Sequence, residues 1–236
     1  MKSMSDINNL EKQFEKRFGY KIEGASQQSE AWFGAKLGVI SASNISKVVA
    51  KAGSATRYTY LCDLAAQVLT GMHNDIRAVA MDWGNQHEDA ARAYYEHDAK
   101  VTMQRLPFVF MDDSFREGCS PDGLVNDHRG AEIKCPFNST NFVKFLHSGE
   151  IDPDWEKQVQ HNMRVLGATH WDFGQYDPRS HGKMLKFVTI ERDEKFQATL
   201  ADAVPTFIKD LDDVLKDIGV KFGDQWLRLG EIANND

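Results

Sequence analysis

The strongest constraint on the fold is a change of hydrophobic period partway along the chain. Tyr60, Leu61, Leu64, Ala65, Val68 and Leu69 recur at helical spacing, and Gly71 follows them. A residue without a β-carbon readily takes the left-handed conformation that closes a helix, so Gly71 reads as its stop. Past residue 100 the period shortens. Phe108–Phe110, Arg116–Ser120, Leu124-Val125 and Ala131–Cys135 are short β-type runs separated by turn residues. Helical spacing returns over Thr140–His147 and Asp154–Leu166, strands over His170–Tyr176 and Leu185–Ile190, and a long closing helix over Glu194–Lys216. Helices, then a mixed sheet, then helices predict an α/β or α+β single domain.

The first part of the chain adds shorter helices. Ser29–Lys36 and Ser43–Val49 are joined by Leu37–Ile40, with Ser41 as a cap, and Ala80–His97 places Trp83 and Glu88 within the same two turns. The start, roughly Met1–Tyr20, is the one segment that reads as detachable. Ser5 can cap a helix there whose Ile7, Leu10, Phe14 and Phe18 form an apolar stripe, a surface for docking or oligomer contact. The division is therefore an N-terminal helical extension over 1–20 and a single domain over 21–236.

Composition excludes several classes. A chain of 236 residues with 42% hydrophobic content can bury one substantial core. It has no apolar run near the roughly 18 residues of a membrane span and no basic-then-apolar start, so neither a span nor a signal peptide is expected. Cys62, Cys119 and Cys135 have no close pair, which argues against a zinc site or a disulfide framework and for a reducing cytoplasm. A net charge of -7 repels nucleic acid at long range. Any DNA site must therefore rest on a local basic lining and on metal ions.

The candidate chemistry lies in the centre. In Ser120-Pro121-Asp122-Gly123, Pro and Gly force a turn out of a strand and present Asp122 at its end. Along Glu132-Ile133-Lys134, side chains alternate, so Glu132 and Lys134 share a face while Ile133 points into the core. If Leu124-Val125 pairs with Ala131–Cys135 through Asn126–Gly130, Asp122 comes near Glu132. Two carboxylates there invite a hard divalent cation. Magnesium needs few protein oxygens, so these two acids and the Ile133 carbonyl suffice, with Lys134 positioning a water and offsetting anionic charge. An acid two residues before a lysine also occurs at Asp98-Lys100 and Asp193-Lys195. The pattern alone therefore leaves an ordinary surface hairpin open.

Longer stretches add to the motif. The segments Gln28–Trp32, Leu37–Ser43, Trp83-Gly84 with Glu88, Cys119–Leu124, Glu132–Phe137, Gln158–Gln160, Tyr176–Arg179, Ile190–Lys195 and Phe222–Trp226 occur in this order. In them the chain resembles the viral recombinase branch of the PD-(D/E)XK nuclease superfamily, the family of the bacteriophage lambda exonuclease. The resemblance implies a restriction-endonuclease-like core with a central mixed β-sheet flanked by helices. It implies Mg2+ on Asp122, Glu132 and the Ile133 carbonyl, a second ion when substrate is bound, and Mn2+ as a substitute. Lys134 and Glu88 would serve the nucleophilic water. It further implies a homotrimeric ring around linear double-stranded DNA, processive 5'-to-3' digestion of one strand, and a 3' overhang handed to a single-strand annealing protein. The setting would be the cytoplasm of a bacterial host, with phage or prophage origin.

The same resemblance puts a 5'-phosphate pocket on Lys36, Ser43 and Gln158. Lys36 departs from the family's arginine, exchanging a two-bond fork for a flexible point charge. Val79 replaces a lysine, with Arg77 two residues earlier; Met81 matches an apolar wedge at the duplex end, and Arg57, after a shortened loop from Lys51, matches a groove contact. Within other readings, a nicking or restriction-type endonuclease shares the metal site, and a non-catalytic DNA-end-binding protein would lack an acid or the lysine. Iron–sulfur relatives need four cysteines. By residue type alone, Glu88, Gln158 and Gln160 are polar surface and Trp32 and Trp83 are core aromatics.

Overall fold

The structure is a computed structural model and describes residues 1–22, 27–73, 79–126 and 128–233, with side chains left aside at 79–81 and 230–233. Along these residues run helix α1 (Met4–Phe18), α2 (Glu30–Ala35), strand β1 (Ile40–Ser41), a 3-10 turn over Ala42–Asn44, α3 (Ile45–Val48), α4 (Ala55–Thr70) and α5 (Val79–Ala99). They continue with β2 (Val109–Phe110), β3 (Glu117–Cys119), β4 (Gly123–Asn126), β5 (Arg129–Lys134), α6 (Ser139–Ser148), α7 (Pro153–Leu166), β6 (His170–Tyr176), β7 (Leu185–Glu191), α8 (Glu194–Asp217) and α9 (Asp224–Ala233). No helix of the described residues is long and apolar enough to cross a membrane.

The expected mixed sheet is the four-stranded β4-β5-β6-β7, in which β5 and β6 are parallel and the outer pairs antiparallel. A smaller sheet, β1-β3-β2, stands beside it. Parallel neighbours need a long crossover, and α6 with α7 supplies it. Alternation along the strands then sorts the core. Trp171 and Phe173 of β6 pack with Phe145, Val159, Met163 and Leu166 of α6 and α7 on one face. Ala131, Tyr176 and Leu185 meet Ala91 and Tyr95 of α5 on the other. Gly130 has no room for a β-carbon, because one would collide with the Trp171 ring.

Two polar ties set the helices. The Tyr95 hydroxyl of α5 donates to Asp172, buried on β6. Glu117 of β3 accepts from Arg164 of α7 at 2.7 Å and pairs with His161 at 3.0 Å. Burial works to raise the Glu117 carboxyl, and these two partners outweigh it and hold it below its ordinary value.

Helix α1 is capped by Ser3, not Ser5: Ser3 and Asp6 exchange hydrogen bonds in a capping box. Its stripe is not an exposed docking surface. Ile7 joins the α6–α7 core, while Phe14 and Phe18 lie 4.7 and 4.6 Å, ring to ring, from Trp226 of α9. Trp226 Nε1 donates to Gly34 O at 2.8 Å and Gln225 to Leu37 O at 3.0 Å, so α9 grips the chain on both sides of Lys36.

A last brace joins β6 to the loop after β5. Asp177 accepts from Arg179 at 2.8 Å and from Ser139 at 2.7 Å, and Arg179 reaches on to the carbonyls of Pro136 and Phe137. The Arg179 hydrogen bond is the largest cause that holds the Asp177 carboxyl at about 2, below its ordinary 3.8. A depressed carboxylate stabilises above its unfolded pKa and stops doing so as pH falls through its folded one. Asp177→Asn should therefore cost about 1–2 kcal/mol near pH 7, allowing for water around half-exposed Arg179. Urea midpoints at pH 7 and pH 3 should show the gap from wild type narrowing at the lower pH; a constant gap would refute the assignment.

Candidate active site

Hairpin β4–β5 is tighter than the sequence suggests, pairing Asn126 with Arg129; Asp127 lies outside the described residues. It still does what the Pro-Asp-Gly turn requires. Asp122 Oδ2 accepts from the Ile133 amide at 2.6 Å, which ties the turn to the middle of β5. Arg92 of α5 donates to the Asp122 carbonyl, fixing the same turn from the opposite side.

Glu132 points to the α7 face and is only 4% exposed. Its Oε1 accepts from Lys134 Nζ and from Gln158 Nε2, each at 2.6 Å, and its Oε2 from Asn162 at 3.2 Å. Lys134 Nζ also donates to Gln158 Oε1 at 3.1 Å. Gln158 is thus a buried bridge between the two charged groups.

The electrostatics follow from crowding. Burial first, and then the charge of Glu132, push the Asp122 carboxyl well above the usual range. Burial would lower the Lys134 ammonium, but the Glu132 and Asp122 carboxylates reverse this and raise it. Lys134 is therefore a fixed cation and hydrogen-bond donor near neutral pH.

Asp122, Glu132, Ile133, Lys134 and Glu88 line one cavity of about 600 Å3. Glu88 reaches it from α5, across the sheet from α7. Among the described residues no three His, Cys, Asp or Glu side chains form a metal-holding group. An ion here depends on two carboxylates, main-chain oxygen and substrate. The donors fit one: they are all oxygen, two mutually repelling carboxylates need a positive charge, and Glu132 Oε2 has lone-pair capacity beyond Asn162.

Lys36, Ser43 and Gln158 line a second cavity of about 420 Å3, which shares Glu88 with the first. The Lys36 ammonium stands 3.5 Å over the Trp32 ring. Trp32 donates to Ser120 at 2.8 Å, and Ser120 and Asn85 line this cavity as well. Arg57 is not brought to either cavity. It is 8% exposed, paired with Asp210 of α8 at 2.6 Å, and its guanidinium lies 5.0 Å over the Phe207 ring. The Met81 side chain and Arg77 lie outside the described residues.

Gln158 and Gln160 are buried, not surface; Gln160 bonds the Glu191 carbonyl and the Asp193 amide. Sequence reasoning missed Asn162, Arg92 and Ser120. For Asn162 a signal existed, since it lies one helical turn beyond Gln158 on the same face. Arg92 likewise follows Glu88 by one turn.

Residues 31–169 match the YqaJ-like viral recombinase domain. The chain is similar to the uncharacterized protein ExoD of Escherichia coli (strain K12), 45% identical over 86 residues that make up 36% of this chain and 99% of that one. It is similar in structure to the alkaline exonuclease LHK-Exo from Laribacter hongkongensis, with TM-score 0.75 and 31% identity over 80% of this chain and 96% of that one. A phage related exonuclease from Haemophilus somnus 129PT shares the fold at TM-score 0.60 and 13% identity, over 77% of this chain and 96% of that one.

Asn162→Leu should leave Glu132 short of a buried donor and cost about 1–3 kcal/mol in urea unfolding. An unchanged midpoint would mean that this bond contributes nothing.

Proposed function

The chain belongs to the YqaJ-like viral recombinase family, and we propose that it is a magnesium-dependent exonuclease that digests one strand of linear double-stranded DNA. Digestion runs 5' to 3', is processive, and leaves a 3' overhang for recombination by strand annealing. One observation carries the reading: a single cavity gathers Glu88, Asp122, Glu132, Ile133 and Lys134, where burial and then the charge of Glu132 push the Asp122 carboxyl up. The related LHK-Exo, named an alkaline exonuclease, has been solved in complex with dAMP, which supports a nucleotide-releasing activity.

In this reading Asp122, Glu132 and the Ile133 carbonyl would hold Mg2+, with Mn2+ as a substitute, and a second ion would join with substrate. Such ions neutralise phosphate charge and lower the pKa of a bound water. Lys134 donates to the attacking water and offsets the charge of the crowded phosphate. Glu88 accepts the proton of that water as its oxygen bonds phosphorus. The bond to the 3' oxygen of the departing nucleotide breaks, that oxygen takes up a proton, and a new 5'-phosphate remains on the strand. Lys36, Ser43 and Gln158 would hold that phosphate in the adjoining cavity, so the product of one cut is the substrate of the next. With lysine in place of arginine, this grip is a point charge without a two-bond fork.

Processivity would come from three copies closed around the duplex, with the acidic surplus on the outer surface. The partner would be a single-strand annealing protein in the cytoplasm of a bacterial host. Light scattering that found only monomer under assay conditions would refute the ring.

Nucleotide release from linear duplex in Mg2+ should be lost in Asp122→Ala and Glu132→Gln, with DNA binding largely kept. A purified Glu132→Gln protein of full activity would sink the reading, and cleavage of closed circular duplex would point to an endonuclease instead. Comparison of 5'-phosphate with 5'-hydroxyl ends tests the direction of digestion and Lys36 together.

A further inference from the structure

Phe137 follows β5 immediately after Cys135-Pro136 and lines the same cavity as the two carboxylates. It nevertheless keeps 50% of its surface exposed. A single exposed apolar side chain is common on a protein surface; what sets this ring apart is that it lines the cavity that holds Asp122 and Glu132.

The main chain that carries the ring is held on both sides. Arg179 donates to the carbonyls of Pro136 at 3.1 Å and Phe137 at 3.0 Å, and its guanidinium lies 4.3 Å over the Trp83 ring. Asn138, the next residue, caps α6 through the Thr140 amide. Trp83 stands edge-on to Phe137 with centroids 5.9 Å apart. A ring on a backbone so held, with a second ring against it, has less conformational freedom to lose when a ligand arrives.

The polar residues of the cavity account for a phosphodiester but not for the base attached to it. Resting on the exonuclease reading, we propose that Phe137, backed by Trp83, is a stacking platform for a nucleobase next to the scissile phosphate. Every base has a π face, so stacking is indifferent to sequence, as digestion of an arbitrary strand requires. Fixing the base plane also fixes the sugar and the phosphate against Asp122 and Glu132.

Digestion of linear duplex by wild type, Phe137→Ala and Phe137→Tyr tests this, on intact DNA and on DNA with an abasic analogue at each of the first two positions from the 5' end. Phe137→Ala should lower kcat/KM about tenfold, and Phe137→Tyr should restore it. The abasic substrate should cost wild type a similar factor and cost the alanine variant little more, because both changes remove the same contact. Alanine activity equal to wild type, or fully additive losses, would overturn the platform while leaving the nuclease intact. Should Phe137→Ala melt below assay temperature, the abasic arm on wild type decides, and undiminished cleavage there overturns the proposal. No hydrolysis by wild type in any divalent ion would overturn the exonuclease reading itself, and this inference with it.

Discussion

A carboxylate withdrawn from water must recover its lost hydration through hydrogen bonds, and Glu132 recovers it from two elements at once. Lys134 comes from its own strand, Gln158 and Asn162 from α7. The helix is therefore registered against the strand by the same bonds that arrange the site. Its other face answers to Glu117, which holds His161 and Arg164. Because β5 and β6 are parallel, the chain has to cross back between them, and the crossover delivers α7 to this place. Packing and chemistry are one set of contacts here. Loosening α7 and unseating the Glu132 carboxylate are the same event.

The hairpin was legible because two local rules agreed. Pro121 and Gly123 dictate a turn, and alternation along Glu132-Ile133-Lys134 separates charge from core. The strands His170–Tyr176 and Leu185–Ile190 were also readable, with β7 one residue longer in the structure. What failed was any inference that needed a partner far along the chain. Gln158, Gln160 and Asn162 are polar residues of a helix and read as surface, yet they are buried, Gln158 and Asn162 against Glu132 of β5 and Gln160, on the opposite face of α7, against the end of β7. Arg57 looks like a free cation in a loop region, but Asp210 takes it. Local clues can be overlooked as well: Ser3 with Asp6 three residues later is the capping-box spacing, and Ser5 has no such partner in the structure.

The two cavities are divided by very little. Glu88 and Gln158 belong to the wall between them, and Gln158 contacts both Glu132 and Lys134. A change on the Lys36 side can thus reach Glu132 and Lys134 through Gln158, so substitutions at these positions are not expected to act independently.

The aromatic cluster that seats α1 also has an order in time. Phe14 and Phe18 have their place against Trp226, and the turn around Lys36 is fixed by Trp226 and Gln225. A ribosome makes these partners more than 180 residues apart, as the span from Leu37 to Gln225 records. Contacts so distant in sequence form late and slow folding. During synthesis Phe14 and Phe18 can meet Phe110 and Phe115 first, and their cluster is completed only when residue 226 emerges. The turn beside Lys36 is fixed only then, so a chain still being translated carries Asp122 and Glu132 before the neighbouring cavity is finished.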